Sequence, residues 1–222
     1  MTGFRGFPPG ALDFLRELED NNDRDWFKAN RRRYDELLVA PARALGEELE
    51  AAGFGRPHLF RPWNDTRFTR TPPTPPIKEQ LGLAGGYEDA GGFYVELSLD
   101  GLFVAAGLHN PAPDQVERLR RLVADGRSAA VLTRAIAVAE AAALRLNEPD
   151  LVRAPRGYSA DHPRIELLRH RALTVSQRHT LASWIHRPAA DRRIRAQLDA
   201  AAPLVRWLRE RVGPSERPRT RR

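Results

Sequence analysis

Two short apolar segments joined by an Asp-Gly pair constrain this chain more than any other feature. In the first segment Phe93, Val95 and Leu97 alternate with Tyr94, Glu96 and Ser98, and Asp100-Gly101 then leads to a second apolar run ending at Ala106. Strict alternation is typical of a strand with one buried face, and an Asp-Gly pair between two such runs favours a type I′ turn. The sequence therefore predicts a β-hairpin at about residues 93–106, within a small antiparallel sheet.

Most of the remaining chain has the period of amphipathic helices. Helices are predicted at 9–20, from Trp26 to Gly53 with a break or restart at Pro41, at 114–124, at 128–146, from Pro163, from a cap at Ser176 to Trp184, and at 189–212 with a kink or break at Pro203. This pattern indicates an α+β protein in which the small antiparallel sheet packs against a helix-rich remainder.

Three stretches interrupt the helical pattern. Residues 56–91 are rich in proline and glycine without a sustained period, so we predict irregular structure there, with a short strand at His58–Arg61. Leu173–Val175 is predicted to be one more strand. The Pro/Arg-rich residues 213–222 are predicted to be a disordered tail, which leaves residues 4–212 as a single α+β domain.

The composition removes several classes of protein. The absence of cysteine excludes a disulfide framework, a thiol nucleophile and Cys-ligated metal sites. No apolar run is long enough to cross a membrane and the N-terminal residues lack the features of a secretory signal, so we expect a cytoplasmic protein without a membrane partner. The common nucleotide-loop, serine-elbow and zinc-protease motifs are missing, and the histidine spacing indicates no metal site and identifies no cofactor.

The positive charge of the chain is concentrated in its C-terminal third. The net charge of +7 comes from 36 basic residues, of which only Lys28 and Lys78 are lysines, against 29 acidic residues. Residues 151–222 hold 17 arginines and six acidic residues. Such asymmetry can mark a nucleic-acid-binding surface, but it also arises where arginines fill the solvated faces of helices. Both interpretations stay open.

The first of three polar clusters is the segment Asn21–Phe27, between two helical patterns. Asn21, Asn22 and Arg24 would present two amides and a guanidinium at a helix N-terminus, where the helix dipole favours anions. In the structural alternative, one asparagine caps the second helix while Trp26 and Phe27 fill the core. The segment is thus either a ligand-binding corner or a capped helix connection.

The second polar cluster contains Asp65 and Arg67, followed by a proline-rich stretch and Lys78. Residues two apart in an extended segment point to the same side, so Asp65 would be a base or metal ligand beside an anion-binding Arg67. In the alternative, an Asp–Arg pair ties a loop to the body of the protein.

The third polar cluster runs from Arg153 to Pro163. Asp161 before His162-Pro163 predicts a helix N-cap with proline early in the helix. A functional interpretation makes His162 a general acid or base, with Arg153 and Arg156 binding an anion. Both interpretations remain open at this point.

These clusters belong to a longer series of motifs that resembles a known family. The motifs are Gly6-Phe7, Phe14-Leu15-Arg16-Glu17-Leu18, Asn21–Phe27, Asn30, Arg31, Tyr34, Pro41, Asp65-x-Arg67-Phe68, Gly107, Pro111, Pro155-Arg156-Gly157-Tyr158, Asp161-His162-Pro163 and Trp207-Leu208. In this order and spacing the chain is similar to the bacterial and fungal family called domain of unknown function 2461, over about residues 4–210. The resemblance implies a family grouping and brings no activity with it.

The chain departs from the family pattern after Phe68. Members of the family usually continue with an Asp-Lys pair and then Pro-Tyr-Lys. Here the segment is two residues longer and lacks that pair, and Ile77 stands in place of the tyrosine, so that only Pro76 and Lys78 match. Any activity that depends on the missing groups would be altered or lost in this member.

Three functional hypotheses follow from the sequence. The first is an enzyme or binding protein for an anionic, phosphorylated ligand. In it Asp65 or His162 moves a proton, and the ligand is bound by Asn21, Asn22, Arg24, Arg67, Lys78 and Arg156. The second is a nucleic-acid-binding module that uses the arginine-rich C-terminal region. The third is a structural or protein-interaction domain in which these motifs only hold corners together.

Overall fold

The computed structural model describes residues 3–65, 74–87 and 90–216. Its helices, in chain order, are α1 (Gly10–Asp20), α2 (Arg24–Ala29), α3 (Arg31–Tyr34), α4 (Ala40–Ala51), α5 (Pro113–Ala124), α6 (Gly126–Ala141), α7 (Ile165–Leu168) and α8 (Ala189–Trp207). Its strands are β1 (Pro57–Leu59), β2 (Gln80–Gly85), β3 (Gly92–Ser98), β4 (Gly101–Leu108), β5 (Arg145–Leu146) and β6 (Leu173–His179).

The six strands form one antiparallel sheet in the order β1-β2-β3-β4-β6-β5. The predicted α+β class and the hairpin are both confirmed, since β3 and β4 are neighbours separated by a two-residue turn. The turn residues are Leu99 and Asp100 rather than Asp100-Gly101. Gly101 instead opens β4 with φ at +135°, where an added Cβ would lie 2.1 Å from the carbonyl oxygen of His179. Glycine is needed here for close backbone approach as well as for its dihedral angle.

The chain forms two compact units, each built from three separate segments. The first unit contains Met1–Gly85, Tyr94–Phe103 and Arg178–Arg195. The second contains Gly86–Phe93, Val104–Gln177 and Ala196–Arg222. Each unit has its own buried apolar residues, including Phe14, Phe27, Leu38 and Ile77 in the first and Leu119, Leu132, Leu168, Val175 and Leu204 in the second. The single α+β domain over residues 4–212 stays a prediction.

The helical corner after α1 is capped by a residue that the sequence did not single out. The side chain of Asp23 accepts hydrogen bonds from the backbone N–H groups of Asp25 and Trp26, so the cap is Asp23 and not Asn21 or Asn22. An N-cap of this kind contributes about 1 kcal/mol. Phe27 is fully buried, whereas Trp26 is only half-buried against Phe14.

Pro41 does not interrupt the helical path that leads into α4. A π-helical turn at Asp35–Val39 follows α3 directly and ends just before α4, in which Pro41 occupies the first turn. The first turn tolerates proline because its N–H group would have no partner within the helix. The π-helical turn ends and α4 begins next to Pro41, so the helical path continues through this proline.

Two strands lie where the sequence predicted something else. Strand β2 falls in the stretch predicted to be irregular, because five of its six residues are buried and its small side chains show no alternation. Ser176 lies within β6, opposite Arg145 of β5, so its predicted role as a helix cap is wrong. The predicted helix at 128–146 runs five residues too far, since α6 ends at Ala141 and the last two residues of the predicted helix form β5.

The first residues of the predicted tail are bound to the start of α5. Arg118 donates to the carbonyl oxygens of Val212 and Pro214, and Asp114 accepts hydrogen bonds from the Ser215 hydroxyl and the Glu216 N–H. Burial alone would raise the pKa of Asp114, but these hydrogen bonds and the charge of Arg118 outweigh it and lower the pKa to about 2. Residues 217–222 lie outside the described part of the chain.

Candidate functional site

The alternation of β3 places its polar side chains together on one face of the sheet. Phe93, Val95 and Leu97 are buried, whereas Tyr94 and Glu96, on the opposite face, are half-buried. An antiparallel sheet can keep one face on the core and leave the other accessible to solvent. Side chains that contact a ligand are therefore expected on the accessible face.

A hydrogen-bonded network joins Tyr94, Glu96 and Arg178 on this face. The Tyr94 hydroxyl donates to Glu96 Oε2 at 2.7 Å, and Arg178 Nη2 donates to Glu96 Oε1 at 3.1 Å. Arg178 also donates to the Ser98 hydroxyl at 3.3 Å. The Glu96 side chain is 14% exposed and that of Arg178 is 40% exposed. Both oxygens of Glu96 are thus held by the protein, while Arg178 remains open to solvent on one side.

Aromatic rings surround the network. The Arg178 guanidinium lies 4.8 Å from the centroid of the Phe103 ring, and the Tyr94 ring lies 6.2 Å from Phe103 and 6.0 Å from Phe60. Gly82 leaves room for two of these rings, because an added Cβ would lie 2.8 Å from the Tyr94 hydroxyl and 3.1 Å from Phe60. The aromatic face, as we define it, consists of Phe60, Gly82, Lys78, Tyr94, Glu96, Phe103 and Arg178.

Lys78 supplies a second cation to the aromatic face. Its Nζ lies 5.6 Å from the centroid of the Phe60 ring and donates to the Arg61 carbonyl oxygen at 3.0 Å. Among the residues that the structure describes, Lys78 has no carboxylate partner, whereas Arg178 is paired with Glu96. Phe60 is 39% exposed, so part of its ring is accessible to solvent beside Lys78. The face therefore combines accessible rings with a net positive charge.

The asparagines of the first polar cluster are occupied by contacts within the protein. Asn22 Nδ2 donates to the Ile77 carbonyl and to Glu79 Oε1, and Asn22 Oδ1 accepts from the Ile77 N–H. Asn21 donates to the Glu17 carbonyl, and Arg24 is exposed. The amide of Asn22 therefore holds the backbone of Ile77 and the side chain of Glu79, the two sequence neighbours of Lys78, which makes it a positioning residue for the aromatic face.

The second polar cluster is only partly within the described residues. Asp65 is exposed, and Arg67 falls outside the described part of the chain. Its flanks are joined, because Trp63 and Ile77 form an antiparallel bridge and Lys78 N donates to the Pro62 carbonyl. Lys78, a predicted ligand-binding residue of this cluster, belongs to the aromatic face.

The third polar cluster lies in the second unit. His162 Nδ1 accepts a hydrogen bond from the Arg164 N–H at 3.1 Å, and the His162 ring lies edge-on to Tyr158. Helix α7 begins at Ile165 without a side-chain cap, so the predicted capping role of Asp161 is wrong. His162 Nδ1 instead accepts the hydrogen bond of the Arg164 N–H, which is the group that an Asp161 cap would bind. Arg153 and Arg156 are exposed.

Sequence reasoning missed most of the aromatic face. The alternation of Tyr94 with Glu96 predicted that they share a face, but this signal was used only for the fold. The sequence predicts a helix at residues 176–184, which conceals Arg178, whereas in the structure β6 continues as far as His179. Phe60 carried no local signal, since it meets Tyr94 through strands that are distant in sequence, and the same is true of the contact between Phe103 and Arg178.

The residues that the structure describes contain no group of three or more His, Cys, Asp or Glu side chains placed to hold a metal ion. None of the described helices has the length and apolar character needed to cross a membrane.

Comparison with known proteins places the chain in a family. The profile of the family described as Conserved hypothetical protein (DUF2461) matches residues 10–207. No curated protein and no solved structure matches the chain. The family match covers most of the 222 residues and confirms the resemblance found in the sequence motifs. The chain therefore belongs to the family described as Conserved hypothetical protein (DUF2461).

Proposed function

We propose that the protein binds a small nucleotide-like ligand on the aromatic face, with a planar ring stacked on the exposed aromatic side chains and an anionic group held by Lys78 and Arg178. The observation that carries the proposal is the Tyr94–Glu96–Arg178 network bordered by accessible rings. The proposal concerns binding alone, and in it the phosphorylated ligand of the first hypothesis binds on the aromatic face.

The rings supply the attraction for a planar group. Phe60, Tyr94 and Phe103 are all accessible in part, and stacking of a base on an aromatic side chain contributes about 1–3 kcal/mol. Gly82 keeps the surface between Phe60 and Tyr94 free of a side chain. A ligand with a flat ring is therefore favoured over a purely aliphatic one.

The charges supply the selection for an anion. Lys78 has a neutral carbonyl as its hydrogen-bond partner, so its positive charge is available to a phosphate. Arg178 is paired with Glu96 and stacked on Phe103, which fixes its guanidinium plane and leaves N–H groups for a second contact.

Calorimetric titration tests this proposal with three probes. We expect adenosine monophosphate to bind more tightly than adenosine, which lacks the anion, and more tightly than ribose 5-phosphate, which lacks the planar base. Equal affinity for all three, or no binding of any at millimolar concentration, would contradict the proposal.

A matched pair of variants isolates the contribution of Lys78. The chain has only two lysines, and Lys28 is 69% exposed on α2, where it is paired with Asp25. We expect Lys78→Gln to weaken nucleotide binding about fivefold, the size of one accessible charge contact of about 1 kcal/mol, and Lys28→Gln to leave it unchanged. Equal effects of the two substitutions on nucleotide affinity would show that Lys78 does not contact the nucleotide.

The nucleic-acid alternative makes a different prediction. Binding through the arginine-rich C-terminal region would fall steeply with salt, would require an oligonucleotide and would weaken when residues 213–222 are deleted. The aromatic face predicts instead that a mononucleotide is sufficient and that this deletion leaves its affinity unchanged. Fluorescence anisotropy with full-length and shortened protein separates the two.

A further inference from the structure

A groove along α6 in the second unit has the features of an anion site. Its volume is about 630 Å³, within the range of small-ligand sites, and it is open to solvent. It is lined by Gly126, Ala129, Ala130, Thr133, Arg134 and Arg164. Small side chains form its wall along the helix, so a ligand can come close to the helix surface between the two arginines.

The two arginines carry charges that no carboxylate in the described chain neutralises. Arg164 Nε donates to the Val123 carbonyl at 2.6 Å and its Nη2 to the Ala124 carbonyl at 2.5 Å. Arg134 Nε donates to the Ala130 carbonyl at 3.3 Å. A guanidinium has five N–H groups, so each arginine keeps further donors for a ligand.

The backbone contacts also fix where these donors lie. Arg164 is anchored to the last two residues of α5, and Arg134 is anchored to the preceding turn of α6. Anchored guanidinium groups lose little side-chain entropy when an anion binds. The Asp125 carboxylate at the start of α6 accepts from the Ser128 N–H and does not line the groove.

We propose that this groove binds a phosphate group, with Arg134 and Arg164 as the charged contacts and the Thr133 hydroxyl as a neutral one. The residues of this groove belong to the second unit, whereas those of the aromatic face belong to the first. Two guanidinium groups match the several oxygen acceptors of a phosphate better than they match a monovalent halide.

The test measures phosphate binding to the whole protein by calorimetry, with inorganic phosphate and pyrophosphate as probes and sodium chloride at equal ionic strength as the reference. We expect saturable binding of both probes and none of chloride. We expect Arg134→Gln to weaken the binding about fivefold or more, and Arg127→Gln to leave it unchanged. Arg127 is the matched control because it is an exposed arginine on the same helix that does not line the groove.

A lack of saturable binding of both probes would overturn the proposal, and so would either of two results with the variants. One is equal loss of phosphate affinity in Arg134→Gln and Arg127→Gln, which would indicate a general effect of charge. The other is loss of phosphate binding in Lys78→Gln with none in Arg134→Gln, which would place the anion on the aromatic face. Thr133→Val adds a variant that leaves both arginines and their backbone contacts intact, and we expect it to weaken binding about twofold to threefold. Unchanged phosphate affinity in Thr133→Val would show that the Thr133 hydroxyl does not contact the phosphate.

Discussion

Asn22 shows how a residue that looks like a ligand contact can instead hold a site together. Its side chain makes three hydrogen bonds across 55 and 57 residues of sequence, two of them with the backbone of the fully buried Ile77. The neighbouring Asn21 makes one local hydrogen bond to Glu17 and is exposed. The sequence presents the two asparagines as equivalent, whereas the structure gives them very different energetic roles.

We predict that Asn22→Ala lowers the free energy of unfolding by about 1–3 kcal/mol, because it leaves the N–H and C=O groups of Ile77 without their partner. Asn21→Ala, the matched control, should lower it by less than about 1 kcal/mol. Urea denaturation measures both values. If the two variants lost the same stability, the hydrogen bonds of Asn22 to Ile77 and Glu79 would not contribute more than the local hydrogen bond of Asn21.

At the scale of elements, the hairpin depends on one glycine for a reason that turn propensity does not include. Gly101 has φ at +135° and faces the His179 carbonyl of β6. A side chain here would meet backbone atoms, which cannot move aside as the end of a flexible side chain can. The Asp-Gly pair therefore marks the hairpin correctly while the glycine acts through its contact with a different strand.

We predict that Gly101→Ala destabilises the protein by at least about 2 kcal/mol, since dihedral strain and a steric clash add together. Gly53→Ala separates the two effects, because Gly53 has φ at +86° but nothing within 4 Å of an added Cβ. Gly126→Ala, with open space and no positive φ, should be close to neutral. Thermal unfolding should rank the losses in that order, and a different ranking would contradict the steric explanation.

Elements with regular local patterns were predictable, and elements defined by distant partners were not. Helix α1 and the β3–β4 hairpin follow directly from their apolar periodicity. Strand β2 was missed because burial on both faces removes the alternation that reveals a strand. Of the residues of the aromatic face, only Lys78 was a predicted site residue, because several contacts of this face join strands that are distant in sequence. Arg178 meets Glu96 and Phe103 through the order of strands, which no local signal encodes.

At the scale of the whole molecule, one buried histidine makes stability depend on pH. His170 is 2% exposed, and its Nδ1 lies 3.2 Å from the Asn147 side-chain amide. Burial lowers the pKa of His170 below its usual 6.5, although the nearby Asp150 carboxylate opposes the shift. The unfolded chain therefore binds a proton more readily than the folded chain does.

It follows that the stabilisation due to neutral His170 is fully present above about pH 6.5 and is lost as the pH falls through the lower pKa of the folded state. We predict that the free energy of unfolding of the natural protein decreases between pH 7.5 and 5.5 more than that of His170→Gln, whose side chain does not titrate. Urea denaturation at the two pH values measures the difference. A pH dependence that persists unchanged in the variant would assign the effect to other groups.

The two proposed sites lie in different units of a chain that belongs to one family. The aromatic face combines stacking rings with Lys78, whereas the α6 groove offers two arginines without rings. The account therefore predicts that a nucleotide and inorganic phosphate respond to different substitutions. Loss of both responses from one substitution, in a protein that remains folded, would contradict two separate sites.

The aromatic face is tested most directly by observing Lys78 itself. Reductive methylation with ¹³C-formaldehyde labels both lysines and keeps their charge, and Lys28→Gln and Lys78→Gln assign the two side-chain signals. On titration with adenosine monophosphate, the account predicts a saturable NMR shift of the Lys78 signal with the affinity found by calorimetry, and no shift of the Lys28 signal. A Lys78 signal that stays in place while the nucleotide binds would contradict the account.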